Sequence, residues 1–215
     1  MAATTIITAS NGWKIRPLEE SDYQFFMEAF VDYPLGNNSY RNRQNKFSGC
    51  IHNNTLYDDA TIKSGKVTQE DGVQSQGIIR TYVIEHPEEG PTGIEIRIHH
   101  EPHLLVTRSL VIHPSQRGKK YLKPCHIMGY ELSLELNITK SRSWLQEDSP
   151  FETMTHMKKK YDTAGLDRDF SAEVNQVDRG SSAMIRKMEG GVDPWAQIKA
   201  TTAGWDGVTF TASTT

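Results

Sequence analysis

The chain has 215 residues, of which 36% are hydrophobic and 24% charged, a composition that fits one domain with more polar loop or tail than a compact enzyme of this length carries. Lys plus Arg number 24 against 27 Asp plus Glu, a net charge of −3, so no global field steers the molecule toward nucleic acid or an anionic membrane. Apolar runs stop at a handful of residues, far short of the ~20 a spanning helix needs, and the opening MAATTIITA lacks the basic start and apolar stretch of a secretory signal; a soluble protein is expected.

A short strand is predicted at 13–18, where Trp13, Ile15 and Pro17 alternate with Lys14 and Arg16 and give one buried face. Ser21 or Asp22 then offers an N-cap to a helix whose Phe25, Phe26, Met27, Ala29, Phe30 and Val31 fall at helical spacing, with Pro34 and Gly36 as its stop. From Asn37 to Gly77 the chain is rich in Asn, Asp, Gln, Ser and Gly and keeps no period. Its weak apolar group (Phe47, Cys50, Ile51, Leu56, Tyr57) predicts one short packed piece inside a long polar insertion.

Three strands are predicted next. The first is β-branched (78–85), the second follows a Pro/Glu/Gly turn (93–98) and puts Ile94, Ile96 and Ile98 on one face, and the third is more continuously apolar (103–112). Joined in succession, they read as an antiparallel meander. A basic turn at 113–120 opens onto a helix reaching Ile138, with a stripe of Tyr121, Cys125, Met128, Leu132 and Leu136 and with Pro124 early enough to be borne by the first turns. A strand at 141–146, a helix at 151–161 and a short helix at 181–188 complete the order. Beyond Asp193, a Thr/Ala/Gly background cannot bury its own aromatics. The arm 192–215 is therefore expected to dock on a neighbouring chain with Trp195, Trp205 and Phe210 as interface anchors.

The strand–turn–helix from Leu110 to Lys119 carries the chemistry. A helix N-terminus presents unpartnered N–H groups and the positive end of its dipole, and a glycine such as Gly118 lets an anion approach the backbone closely. The run VIHPSQRGKKY is similar to the central motif of the GNAT superfamily, the acetyl-CoA-dependent N-acetyltransferases, in which a strand ending V-x-P leads into Arg/Gln-x-x-Gly-x-Gly/Ala and a helix. IRPLEESD at 15–22 resembles the family's first strand and helix, and SSAMIR at 181–186 resembles its N-x-A-M-I-R segment, which opens the last conserved helix. The resemblance spans roughly residues 13–191. It implies an α/β (α+β) protein with a GNAT-like mixed, largely antiparallel central sheet flanked by helices: a domain at 1–191 holding the insertion 37–77, followed by the arm.

For an active member, the resemblance implies that the pyrophosphate of acetyl-CoA rests on the N–H groups of Arg117, Gly118 and Lys119. The amine would lie between the two central strands, with Tyr161 as the acid that protonates the leaving thiolate. Two departures argue against activity. Lys120 and Leu122 occupy the family's two small positions, where side chains crowd a pyrophosphate. A last helix anchored on 181–186 puts Met188, which has no proton to give, at the acid's place, whereas the preceding segment offers Tyr161; both registers stand. GNAT-like proteins with degraded cofactor motifs occur in the virions of short-tailed bacteriophages, and this chain is similar to them in its opening, its altered phosphate turn, its insertion and its Thr-rich tail. The expected function is therefore a non-enzymatic structural component of a phage tail or internal core. It would need no cofactor and would contact other virion proteins and copies of itself in a symmetric assembly. The alternatives are an active acetyl-CoA-dependent N-acetyltransferase of the cytoplasm and an inactive fold that senses acyl-CoA.

The remaining signals read as structure. His99, His100, His103 and His113 are taken as exposed turn histidines and not as a metal site, because neighbouring strand residues point to opposite faces. Cys50 and Cys125 exclude a disulfide scaffold and read as reduced, partly buried thiols. The basic runs at 117–120, 158–160 and 41–46 read as solvated faces, Glu95, Glu101 and Glu131 as surface carboxylates, and no G-x-S-x-G elbow is present.

Overall fold

The computed structural model describes residues 5–31, 39–51, 56–58, 76–100, 105–138, 140–146, 168–169, 181–187, 199–200 and 202–214. Strands β1 (Thr5–Ala9) and β2 (Lys14–Pro17) lead through a 3-10 turn (Glu20–Asp22) into helix α1 (Tyr23–Ala29), and α2 (Tyr40–Ile51) and β3 (Leu56–Asp58) follow. Then come β4 (Gln76–His86), β5 (Gly90–His100), β6 (Leu105–Ile112), a 3-10 turn (Pro114–Gln116) and helix α3 (Leu122–Glu135). The described chain ends with β7 (Lys140–Gln146), β8 (Arg168–Asp169), β9 (Ser181–Lys187) and β10 (Phe210–Thr214). The strands make one sheet in the order β10-β1-β2-β4-β5-β6-β7-β9-β8, with β3 paired to β4 off that path. Among the described residues, every pairing is antiparallel except β6 with β7. The mixed, largely antiparallel sheet and its flanking helices are as expected.

Alternation along the central strands divides the core. Val83, Ile94 and Val111 face α1 and α2, where Leu18, Phe26, Ala29, Phe30, Phe47 and Cys50 complete one cluster. Tyr82 and Ile84 face α3 and pack with Ile15, Trp13, Cys125, Ile127, Met128 and Leu132. Each fully buried aliphatic or aromatic side chain contributes about 1.5–3 kcal/mol, so both faces of the sheet hold their helices by burial. Gly93 lets α3 come close, since a Cβ there would lie 3.5 Å from the Cys125 sulfur and 3.2 Å from the Val111 carbonyl. Pro124 stands in the first turn of α3, where its missing N–H is no loss.

The short packed piece expected inside the polar insertion is α2, a helix whose buried residues are Phe47 and Cys50. Two expectations change. Residues 181–187 form a strand and not a helix. All seven pair with β7, from Lys140↔Lys187 to Gln146↔Ser181, and a segment this short has too little intrinsic helicity to resist that pairing. The C-terminal arm is not free to dock elsewhere: β10 pairs with β1 from Thr5↔Thr214 to Ala9↔Phe210, and Trp205, 2% exposed, belongs to the α3-side core. The predicted helix at 151–161 and the helix stop at Pro34 and Gly36 lie outside the described residues.

Candidate active site

Among the described residues, the pairing of β6 with β7 stops partway along both strands. β6 and β7 pair in parallel only from Leu105↔Lys140 to Arg108↔Ser143, and the rest of β6, Ser109–Ile112, runs on without that partner. Beyond the C-terminal end of β6 lies the turn that enters α3. A crevice outside the carboxyl ends of parallel strands, beside a helix N-terminus, is where α/β architectures place ligands.

The turn is shaped for an anion. Gly118 has φ +79° with nothing within 4 Å of the place a Cβ would take. Lys120, the residue at the family's glycine position, adopts φ 66°, and Tyr121 after it is right-handed at φ −76°, ψ −7°. A left-handed residue followed by a right-handed one turns successive N–H groups into a shared concavity that binds anions, and the first N–H groups of α3 add to it. Lys120 therefore keeps the glycine's backbone path while its side chain stands exposed, and Leu122 is half-buried as the first residue of α3. The Arg117 N–H donates to the Pro114 carbonyl at 3.3 Å and its side chain to the Ile112 carbonyl at 3.1 Å, so Arg117 braces the turn against β6.

A carboxylate already sits beside this turn. Glu89, in the turn between β4 and β5, engages the Lys119 ammonium and accepts from the Tyr121 hydroxyl at 2.8 Å. Lys119 first, and Tyr121 after it, hold the Glu89 carboxyl below the usual range, while Glu89 raises the Tyr121 phenol.

A second polar group lies on the α1 side of the same strand end. Gln24 donates to Glu28 Oε1 at 2.5 Å, and Glu28 Oε2 lies 3.3 Å from His113 Nε2. On the far side of the ring, His113 Nδ1 is 2.7 Å from Ser115 Oγ and accepts from the Ser115 N–H at 3.3 Å. Phe25 stacks on the imidazole at 4.7 Å. A backbone N–H can only donate, so Nδ1 carries the lone pair and Nε2 the proton. The carboxyl of Glu28 is lowered, by Gln24 first and then by His113. His113 is buried and not the exposed turn histidine expected; its partner Glu28 is 85 positions away, which no local pattern reveals.

Beneath α3 the face of β5 opposite Ile94 is charged. Glu95 and Arg97 are fully buried with Oε1 and Nε 3.6 Å apart, and Arg97 donates to the Gly129 carbonyl at 3.1 Å and to the Ser133 hydroxyl. Glu95 is thus not the surface carboxylate expected, because it needs Arg97 and lies under a helix. Glu131 is also mostly covered, paired with Lys199 at 2.8 Å. Burial raises both thiols, Cys125 the more strongly, with Glu95 adding to it; neither is a nucleophile. Among the described residues, no three His, Cys, Asp or Glu side chains converge on a metal position, and no helix is long and apolar enough to cross a membrane. Tyr161 and Trp195 lie outside the described residues. Trp205 packs 5.9 Å from Trp13, and Phe210 stacks on Trp205 at 6.2 Å under Lys199, so these two expected interface anchors serve the chain's own core.

No protein-family model and no curated protein matches the sequence. Solved structures match the fold, which is that of the N-acetyltransferases. A single-site mutant of spermidine N-acetyltransferase SpeG from Vibrio cholerae is 16% identical with a TM-score of 0.56, over 82% of this chain and 94% of that one. The dodecameric structure of the Vibrio cholerae enzyme in an intermediate state is 15% identical with a TM-score of 0.55, over 82% and 94%. The same enzyme in complex with CoA and spermine is 16% identical with a TM-score of 0.52, over 81% and 93%. The expected non-enzymatic virion component is corrected here: the structures that share the fold are N-acetyltransferases, one holding CoA, and they favour the enzymatic alternative.

Proposed function

We propose that the chain is an acetyl-CoA-dependent N-acetyltransferase that transfers an acetyl group to a small amine. The observation that carries this reading is the parting of β6 from β7 beside an anion-shaped turn. The pyrophosphate rests on the backbone N–H groups around Gly118 and Lys119, extended by those of Lys120 to Leu122, with Arg117 bracing the turn. When bound, acetyl-CoA supplies an activated thioester. The chain's part is to hold the phosphates, to keep the acyl group dry between β6 and β7, and to present the amine from the α1–α2 side. For direct transfer from the thioester to the amine, Tyr161 is carried forward from the family resemblance as the proton donor to the leaving thiolate. Self-association is part of the proposal, supported by the dodecameric neighbour.

Two measurements test the reading. Acetyl-CoA should raise the melting temperature by mass action, and adding an amine acceptor should release free thiol. Flat melting curves at millimolar acetyl-CoA, with no thiol released by any amine, overturn it.

A further inference from the structure

The hydrogen-bonded series Gln24–Glu28–His113–Ser115 ends on an exposed hydroxyl three residues past β6, in the turn that leads to α3. Each member is fixed. Both Glu28 oxygens are engaged, both imidazole nitrogens of His113 are engaged, and Phe25 covers one ring face. The tautomer is the one in which the ring accepts from the serine and donates to the carboxylate. A carboxylate orienting an imidazole that accepts from a hydroxyl is the arrangement that turns serine into a nucleophile.

We propose that Ser115 is an acyl-accepting nucleophile, activated by His113 and oriented through Glu28, so that the chain carries an acyl group as a serine ester. The natural donor, a thioester, rests on the function proposed above; the serine chemistry does not. Ser115 Oγ attacks the acyl carbon as its proton passes to His113 Nδ1. A C–O bond forms, the C–S bond breaks, and the departing sulfur leaves with the electron pair and takes the proton from Nδ1. Thioester and serine give serine ester and thiol, with no oxidant or metal required. Attack by an amine then forms the C–N bond and breaks the C–Oγ bond, and Oγ regains a proton as the nitrogen loses one. Glu28 stabilises the imidazolium that forms transiently within each half, while the proton rests on the ring. His113 also caps the turn through the Ser115 N–H, but a capping role alone produces no ester.

The test is intact-protein mass spectrometry after exposure to p-nitrophenyl acetate and, separately, to acetyl-CoA, with peptide mapping of the modified residue. The expected result is one acetyl group on Ser115 with a stoichiometric burst of p-nitrophenolate. S115A, an exposed and structurally mild change, should abolish both. H113N should slow acylation about 100-fold or more, and E28Q, on a half-exposed side chain, should slow it by a smaller factor. An unlabelled wild type, S115A labelled as fast as wild type, or E28Q and H113N both at the wild-type rate each overturns the proposal. Acylation by the aryl ester alone upholds Ser115 and removes acetyl-CoA as donor. Acetyl-CoA binding with no ester removes Ser115 and leaves the proposed function standing.

Discussion

At the scale of single residues, the turn into α3 shows how far a linear reading reaches. Arg117, Gly118 and Lys119 announce themselves in sequence because a phosphate turn is built from consecutive residues. Glu89 does not, since it arrives from a hairpin 30 positions earlier, and nothing local separates it from the exposed glutamate beside it. The same limit hid Glu28 from His113. Glu89 occupies the two donors, Lys119 and Tyr121, nearest the proposed pyrophosphate position, so an incoming phosphate competes with a carboxylate. E89Q should therefore tighten acetyl-CoA or inorganic pyrophosphate up to about five-fold, the scale of one exposed ion pair, as read by calorimetric titration. Unchanged or weaker binding would make Glu89 an organiser of the site. The sign with pH follows from its lowered carboxyl: the contact is complete above the ordinary glutamate value of ~4.3 and is lost only as pH falls through the lower folded value. The wild-type and E89Q affinities should then differ at neutral pH and converge in acid. Lys120 gives a second residue-scale outcome. A side chain held left-handed costs about 1 kcal/mol or more, so K120G should raise the melting temperature by about 2–4 °C, and a fall would show that the lysine makes a compensating contact.

At the scale of elements, periodicity was informative where one face met the core and misleading where polar residues were buried. The meander was legible because apolar residues alternate along each of its strands, and Val83, Ile94 and Val111 then meet as neighbours across the three. The opposite face of β5 reads as solvent-facing, with Glu95, Arg97 and His99 at alternate positions, yet all three are buried. For Arg97, helix α3 makes that possible by accepting from it at Gly129 and Ser133. Residues 181–187 failed in the other direction, since a short segment with helix-forming Ala and Met takes its structure from the strand it meets. The buried pair under α3 supports a prediction with its own control. R97A removes the buried guanidinium that meets Glu95, the Gly129 carbonyl and the Ser133 hydroxyl, and should cost about 3–5 kcal/mol in urea unfolding. A double replacement of Glu95 and Arg97 by apolar residues of similar volume should recover most of that loss, because neither charge is then stranded. If both variants lose equally, it is the packing of the Arg97 stem that holds α3 to the sheet.

At the scale of the whole molecule, the two ends of the chain close one edge of the sheet. Sequence alone left the C-terminal aromatics without a home because their partners are the first residues of the chain, almost the full length away. The contacts are of several kinds: five residue pairs join β10 to β1, the Ser10 N–H donates to the Thr209 carbonyl at 2.8 Å, and Asn11 donates to the Gly204 carbonyl at 2.9 Å. Lys199 adds its ion pair with Glu131 on α3. Trp205 is the centre of this arrangement, packed among Trp13 and the α3-side core. Truncating a buried Trp to Ala typically costs about 3–5 kcal/mol, a large share of the roughly 5–15 kcal/mol by which a domain is stable. W205A should lower the unfolding free energy by that amount, read as a lower urea midpoint with the slope unchanged, which would mark a loss of stability with the fold kept. A chain ending at residue 198 should fare worse, since it loses the tryptophan, the Lys199 bridge and the partner of β1 together, and exposes an unpaired strand edge that invites aggregation. A truncated chain that unfolds at the wild-type midpoint would return the arm to the role of a detachable appendage. A soluble but expanded product would still place it in the core, because only residues that hold the fold can loosen it by leaving.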